Sequence, residues 1–223
     1  MKYNFSLNLF GIPNITSIED LSALIHVSKS TLYRLSKKTE LYYSHYKIPK
    51  KNGGERYISQ PSSKLKGIQA WILVNILNRL QVSKSCKGFE RNTSIADNVS
   101  PHSGANSILV VDIKDFFPSI KSRYIYNVFK LVGYNSLIST ILTNICTLDD
   151  SLPQGSPCSP KLANLVAWKL DLRLQQYVGK RGIIFTRYAD DLTFSSINPN
   201  KLIKILPTVR NIIESENFTI NES

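Results

Sequence analysis

The chain has 223 residues, of which 42% are hydrophobic, and a formal net charge of +12. This composition predicts a folded protein of one large domain or two small ones and excludes a disordered chain. No apolar run reaches the roughly 18 residues of a membrane span, and the segment Met1–Pro13 lacks the pattern of a secretory signal. We therefore expect a cytoplasmic protein with no membrane partner.

Three cysteines, Cys86, Cys146 and Cys158, are far apart and form no C-x-x-C pair. An odd number of isolated cysteines is typical of free thiols in a reducing compartment. The sequence therefore predicts neither a disulfide framework nor a zinc site.

The first predicted elements are helical. Thr16 followed by Glu19 forms a capping-box pattern, and apolar residues then recur at helical spacing to about His26. A second helix is expected to begin near Ser30. These elements predict a short helical region at the amino terminus.

A hairpin follows in the segment KIPKKNGGERYISQP. Asn52, Gly53 and Gly54 supply the positive backbone dihedrals that a tight turn between two strands needs. After the hairpin, apolar residues beginning at Leu65 line one face of a helix that is expected to end near Leu80.

The second half of the chain alternates strands and helices. The apolar run Ile108–Val111 predicts a buried strand that ends at Asp112. Ser159 is expected to cap one long helix that stops at Gly179. Two further strands, at 183–187 and 192–194, flank Tyr188-Ala189-Asp190-Asp191, which predicts a hairpin with adjacent acids at its tip.

Positive charge is concentrated in one stretch. From Lys29 to Arg91 there are 14 Lys or Arg residues and three Glu residues, a net charge of +11. Such a stretch favours binding to a polyanion, although solvated helix faces are an equal alternative on composition alone. Interleaved tyrosines that could stack on bases favour nucleic acid over a membrane surface: Tyr33, Tyr42, Tyr43, Tyr46 and Tyr57.

Acids at strand ends carry the strongest chemical signal. Asp112 ends an apolar strand, and Asp190 and Asp191 occupy a hairpin tip. Carboxylates without cationic partners are costly at a partly buried edge, and two magnesium ions would remove that cost. The same arrangement is the two-metal clamp of phosphoryl displacement. Taken alone, however, an Asp-Asp turn is more typical of a solvated hairpin.

The order of three motifs resolves this ambiguity. VVDIKDFFPSI, SLPQGSPCSPKLAN and FTRYADDLTF resemble, in this order, the palm motifs of reverse transcriptases. The segments GGERYISQPSSKLKGIQAWI, GFERNTSI and NVSPH resemble the finger region of bacterial retron enzymes. Val99 departs from the Ala that is usual in the last of these elements.

The resemblance implies an α+β fold: a right-hand polymerase palm with an antiparallel sheet backed by helices, plus a finger subdomain. The implied division is a helical region over 1–46, fingers over 47–107 and palm over 108–223.

The resemblance also implies roles for individual residues. Asp112, Asp190 and Asp191 would be catalytic and would bind two magnesium ions, with Ile113 also in the metal site. Phe117, five residues after Asp112, would exclude the ribose 2′ hydroxyl, whereas Phe116 would belong to the core. The remaining implied substrate contacts are Arg56, which would grip the triphosphate, Asp115, Gln154, Gly155 and Tyr188.

The implied function is RNA-directed DNA synthesis from a structured noncoding RNA, in a retron that serves phage defence. Partners would be that RNA, the nascent DNA, dNTPs and an effector protein. Two alternatives remain at this point: a reverse transcriptase of the group II intron or diversity-generating type, and an RNA-binding scaffold without polymerase activity.

The segment Phe218–Asn221 resembles the start of the next palm motif, and the sequence ends at Ser223. We expect the palm to be incomplete, the thumb to be absent, and activity to be weak unless a separate chain supplies one.

Overall fold

The computed structural model describes residues 7, 11–49 and 53–222. The helices are α1 (Ile18–Ile25), α2 (Lys29–Lys37), α3 (Ser63–Asn75), α4 (Ile95–Val99), α5 (Phe116–Ser119), α6 (Ser122–Val132), α7 (Ser136–Cys146), α8 (Ser159–Val166), α9 (Trp168–Gly179) and α10 (Pro199–Ser215). The strands are β1 (Tyr43–Pro49), β2 (Glu55–Pro61), β3 (Ser107–Asp112), β4 (Ile184–Tyr188) and β5 (Asp191–Ser196). Short 3-10 helices lie at Thr39–Tyr42, Leu77–Arg79 and Ser100–His102.

Helix α1 forms where the sequence predicts a helix, but its cap is one residue later than expected. Ser17, not Thr16, is the N-cap, and its hydroxyl accepts a hydrogen bond from Asp20 N–H. The Asp20 carboxylate accepts a hydrogen bond from Ser17 N–H in turn, which completes the capping box. Glu19 instead forms an exposed ion pair with Lys29 at 2.9 Å. A Ser three residues before an Asp satisfies the same capping geometry as the predicted pair, so the sequence contained two competing solutions.

The chain divides into two compact units. The first contains the described residues up to Gln81 together with Ile120–Ala163. Its β1–β2 hairpin is antiparallel, with Tyr43 opposite Pro61 and Pro49 opposite Glu55, as predicted. Asn52, part of the predicted turn, lies outside the described residues.

Helical packing forms the core of the first unit. Gln69 of α3 is fully buried, and its side-chain amide donates to Tyr43 Oη and to Ile145 O, both at 2.8 Å. Fully buried apolar side chains in the same unit include Leu32, Leu65, Phe129, Ile138 and Leu142.

The second unit contains Val82–Ser119 and Asn164–Ser223. Its antiparallel sheet has the order β3-β5-β4, and residues 219–221 pair with the end of β3 through the Ile113–Ile220 bridge. The Phe185 and Phe194 rings, partners in register, stack at 5.0 Å. The mixture of helices with antiparallel sheets confirms the predicted α+β class.

Two predicted elements differ from the structure. The β3 strand is not buried on both faces, because Ile108 and Val110 are 58% and 57% exposed. The single helix predicted from Ser159 to Gly179 is two helices, since Ala167, with ψ −3°, departs from helical geometry between them. Ser159 is the first residue of α8 rather than its cap, and its hydroxyl donates to Pro153 O at 2.7 Å.

The helices in the described part of the chain include none that is both long and apolar enough to cross a membrane. Cys86, Cys146 and Cys158 are buried free thiols, as predicted.

Candidate active site

The three predicted catalytic acids meet at one edge of the β3-β5-β4 sheet. Asp112 ends β3 and is the register partner of Asp191, the first residue of β5. Asp190 lies in the turn between β4 and β5, and its carbonyl accepts a hydrogen bond from Ile113 N–H at 3.0 Å. The strand pairing therefore brings together Asp112, Ile113, Asp190 and Asp191, which lie up to 79 positions apart in the sequence.

Negative charge accumulates at this edge. Partial burial raises the pKa of the Asp191 carboxyl, and the neighbouring Asp190 and Asp112 carboxylates raise it further. Asn221 donates its side-chain amide to Asp112 Oδ2 at 2.8 Å, and Asn221 N–H donates to Asp112 O at the same distance. A cation at this edge would offset both the burial of the Asp191 carboxylate and its repulsion by the other two acids.

The residues present fit magnesium by their chemistry. Three carboxylates supply the hard oxygen ligands that this ion prefers. Across residues 7, 11–49 and 53–222 there is no group of three or more His, Cys, Asp or Glu side chains already arranged around a metal position. Magnesium needs only one or two carboxylates when water and substrate phosphates complete its octahedron, so this donor set is sufficient.

Beneath the hairpin lies a buried ion pair that the sequence reasoning missed. Arg187 is fully buried and binds Asp171 of α9 in a bidentate manner, with Nε–Oδ1 at 2.7 Å and Nη2–Oδ2 at 2.8 Å. Burial alone would lower the pKa of the Arg187 guanidinium, but the Asp171 carboxylate outweighs burial and the net pKa is raised. The only signal in the sequence was an Arg inside an otherwise apolar strand.

The same guanidinium supports the turn that carries Asp190. Arg187 Nη1 donates to Ala189 O and to Asn164 Oδ1, both at 3.1 Å. Ala189 has φ +57°, a left-handed conformation that is strained for a residue with a Cβ. Gly88 packs against this turn so closely that a Cβ added there would lie 2.7 Å from Ala189 N. The turn is therefore held by tertiary contacts, not by a glycine of its own.

The predicted sugar-selecting aromatic lies in the same unit. Phe117 is half-buried in α5, and its ring centroid is 5.7 Å from that of Phe116, which is 3% exposed. The assignment of Phe116 to the core is confirmed, and a helical turn places its ring there. Tyr188 is half-buried at the end of β4, and Asp115 is exposed with φ +49°.

Arg56, Gln154 and Gly155 belong to the first unit. Arg56 is exposed on β2 opposite Ile48. Ser59 N–H donates to Gln154 O at 2.8 Å, and a Cβ on Gly155, whose φ is +128°, would lie 2.6 Å from Ser59 O. The approach of the β2 backbone is sufficient to require a glycine here, and the contact of Gly155 with a nascent base pair stays a prediction.

The histidine of the NVSPH element, His102, contacts two strands of the sheet. His102 is buried, and its Nδ1 and Nε2 lie 2.6 Å and 2.7 Å from the hydroxyls of Ser195 in β5 and Thr186 in β4. Burial lowers the pKa of His102. In the same element, the buried Oδ1 of Asn98 has no hydrogen-bond partner among the described residues.

Comparison with known proteins agrees with the motif assignment. The profile of the family "Reverse transcriptase (RNA-dependent DNA polymerase)" matches residues 48–223. The chain is 45% identical over 219 residues to the Retron Ec86 reverse transcriptase of Escherichia coli, covering 97% of this chain and 68% of that protein. It is 31% identical over 243 residues to the Retron Mx162 reverse transcriptase of Myxococcus xanthus, covering 95% and 50%.

A third relative is the Retron Ec73 reverse transcriptase of Escherichia coli, which is 37% identical over 163 residues, or 67% of this chain and 52% of that protein. The chain thus spans 68% of the Ec86 protein and about half the length of the other two relatives. The profile match and the 45% identity together show that this chain belongs to the reverse transcriptase (RNA-dependent DNA polymerase) family and is of the retron type.

Proposed function

We propose that this chain forms the palm and fingers of an enzyme that copies a structured noncoding RNA into single-stranded DNA, within a retron that serves defence against phage. The observation that carries the proposal is the pairing of Asp112 with Asp191, beside Asp190, in a chain of this family. The retron relatives favour this function over that of a group II intron enzyme.

Asp112, Asp190 and Asp191 would hold two magnesium ions, with Ile113 lining the same site. Bound there, the metal would supply electrostatic stabilisation of the attacking and leaving oxygens. The pKa of Asp191 is raised first by burial and then by the Asp190 and Asp112 carboxylates, which supports this role because a bound cation would offset both effects.

Phe117 would select the sugar. Phe117 is five positions after Asp112 in the sequence, and its side chain is half-buried. An aromatic ring packed against the sugar leaves no room for a 2′ hydroxyl. The discrimination would therefore favour dNTPs and make the product DNA. Tyr188, at the end of β4, would pack against the primer terminus.

The remaining contacts involve the first unit and the loop before α5. Arg56 would pair its planar guanidinium with triphosphate oxygens, and Gln154 and Gly155 would approach the nascent base pair. Asp115 would contact the substrate. The net charge of +11 between Lys29 and Arg91 would attract the RNA backbone, and an effector protein would act on the complex.

The test is Asp190→Asn in the purified chain on a primed RNA template. We expect dNTP incorporation to be abolished and RNA binding to be retained, since one carboxylate is removed without a change of shape. Asp149→Asn is a matched control, because Asp149 and Asp150 also form an adjacent-acid turn, with φ +46° and +57°. Activity of Asp190→Asn within about tenfold of wild type would overturn the metal assignment.

The scaffold alternative gives a different result in the same experiment. A chain that only binds RNA would show no incorporation with the wild-type sequence or with either variant, at unchanged RNA affinity.

A further inference from the structure

Phe89 has two properties that rarely occur together in one residue. Its side chain is 47% exposed, and its backbone has φ +60°. A left-handed conformation is strained at a residue with a Cβ, because the Cβ approaches the following carbonyl oxygen. An exposed ring gains little from burial to offset that cost, so folding alone does not explain why an aromatic residue is held here.

The ring of Phe89 lies beside two rings already assigned to substrate binding. Its centroid is 6.1 Å from Phe117, with planes tilted by 46°, and 6.3 Å from Tyr188, with planes tilted by 40°. Both distances are within the range of favourable aromatic pairs. Phe89 therefore lies between the predicted sugar-selecting ring, Phe117, and Tyr188, which precedes the acid-bearing turn.

The loop that carries Phe89 is held on both sides. Asn164 donates its side-chain amide to Gly88 O at 2.8 Å and to Glu90 Oε1 at 3.0 Å. Lys87 N–H donates to Arg187 O at 2.8 Å. The residues on either side of Phe89 are thus bound to one side chain, Asn164, which also accepts a hydrogen bond from Arg187.

We propose that Phe89 is a positioning residue for sugar selection, which acts by restricting the rotation of the Phe117 ring while also packing against Tyr188. The inference rests on the proposed function and adds a residue to it. The Phe117 ring packs against Phe89 as well as Phe116, so it is less free to turn away when a ribonucleotide enters, and its exclusion of the 2′ hydroxyl is maintained. Without Phe89, Phe117 can move to another rotamer and admit the hydroxyl.

The test measures the ratio of dNTP to rNTP incorporation, expressed as kcat/KM for each, on a primed RNA template. Phe89→Leu removes the ring but keeps an apolar side chain, and Phe89→Gly removes the ring while accommodating the positive φ. An aromatic pair is worth about 0.5–1.5 kcal/mol, and we therefore expect the ratio to fall by about 2- to 12-fold in both. Phe89→Tyr should restore it.

Two controls separate positioning from general destabilisation. Leu172→Ala alters a side chain of similar exposure, 44%, in the same unit, and should leave the ratio unchanged. In a Phe117→Val background, Phe89→Leu should cause no further loss of discrimination, because the ring through which it acts is gone. Additive losses in the double variant would overturn action through Phe117.

The outcomes distinguish the inference from the function on which it rests. A wild-type chain that incorporates dNTPs selectively, with a ratio unaffected by Phe89→Leu and Phe89→Gly, overturns the inference alone. Equal declines of dNTP and rNTP incorporation also overturn it, since they show a purely structural role. A wild-type chain that incorporates neither nucleotide overturns both proposals.

Discussion

The β1–β2 and β4–β5 hairpins are both antiparallel, but different interactions determine their turns. At the first, Gly53 and Gly54 have φ +86° and +81°, and a Cβ on either would meet no atom within 4 Å. At the second, Ala189 has φ +57°. Its carbonyl accepts a hydrogen bond from the Arg187 guanidinium, and Gly88 packs closely against its backbone. One turn is encoded locally, whereas the other is imposed by its surroundings.

The surroundings of the strands differ in the same way. Six of the seven residues of β1 are exposed, including Lys47, its one charged residue. In β4 and β5, buried residues predominate, and a fully buried ion pair lies beneath the turn. The carboxylates at the tip of the second hairpin are therefore supported from below, whereas the first hairpin has no such buried support among the described residues.

The largest effect is expected at the buried ion pair. Arg187→Met leaves Asp171 buried without its partner, which should lower the free energy of unfolding by about 3–5 kcal/mol. Denaturant unfolding measures this loss. Replacing both residues, in Asp171→Leu with Arg187→Met, should recover part of it because no isolated charge remains. A loss below about 1 kcal/mol for the single variant would contradict tertiary control of this hairpin.

A second prediction concerns His102, which links β4 to β5. His102→Ala removes the partner of two buried hydroxyls and should lower the free energy of unfolding by about 1–3 kcal/mol. His45→Ala is the matched control in the first hairpin, where His45 Nδ1 lies 3.1 Å from Ser59 Oγ at an exposed position. A loss within about 0.5 kcal/mol is expected there.

The same histidine predicts a pH dependence. Burial lowers the pKa of His102 below its ordinary value of 6.5, so the unfolded chain takes up this proton at a higher pH than the folded chain. The His102 contribution to stability is therefore complete above about pH 6.5 and declines as the pH falls toward the lower folded pKa. His102→Gln, which does not titrate, should lose stability less steeply than wild type in this range. If the free energy of unfolding fell equally steeply with pH in both proteins, the contribution of His102 would be contradicted.

A smaller effect is expected from exchanging the turn residues. Gly54→Ala should lower the free energy of unfolding by about 1 kcal/mol, because alanine is strained at φ +81°. Ala189→Gly should change it by less than about 0.5 kcal/mol, since strain relief is offset by the loss of a buried methyl group. Thermal unfolding measures both changes. A larger loss of stability for Ala189→Gly than for Gly54→Ala would contradict the conclusion that only the first turn depends on its own glycine.

The smallest effect on stability is expected at Arg56. Arg56→Gln removes an exposed charge and should change the free energy of unfolding by less than about 0.5 kcal/mol. The log–log salt slope of RNA affinity should decrease by up to about 0.7, the value for one single-strand phosphate contact. Arg56→Lys should preserve the salt slope but raise KM for dNTP, since lysine lacks the planar fork. An unchanged KM in both variants would contradict the triphosphate role.

The amino-acid sequence was sufficient for the features that depend on near neighbours or on motif order. These include the α+β class, the glycine turn after β1, and strands on either side of the paired acids Asp190 and Asp191. Local signals failed where two solutions compete within a few residues, as at the Thr16 and Ser17 caps of α1. They also missed the break at Ala167, because the apolar period continues through it.

Only the tertiary structure decided which distant groups meet. The Asn221 amide reaches Asp112 across 109 positions, Asn164 binds Gly88 across 76, and Arg187 binds Asp171 across 16. Hydrogen bonds of this kind leave no periodic signal, because their geometry is created by strand pairing and helix packing. The sequence alone therefore indicated which residues could carry the chemistry, and the fold determined which side chains hold them in position.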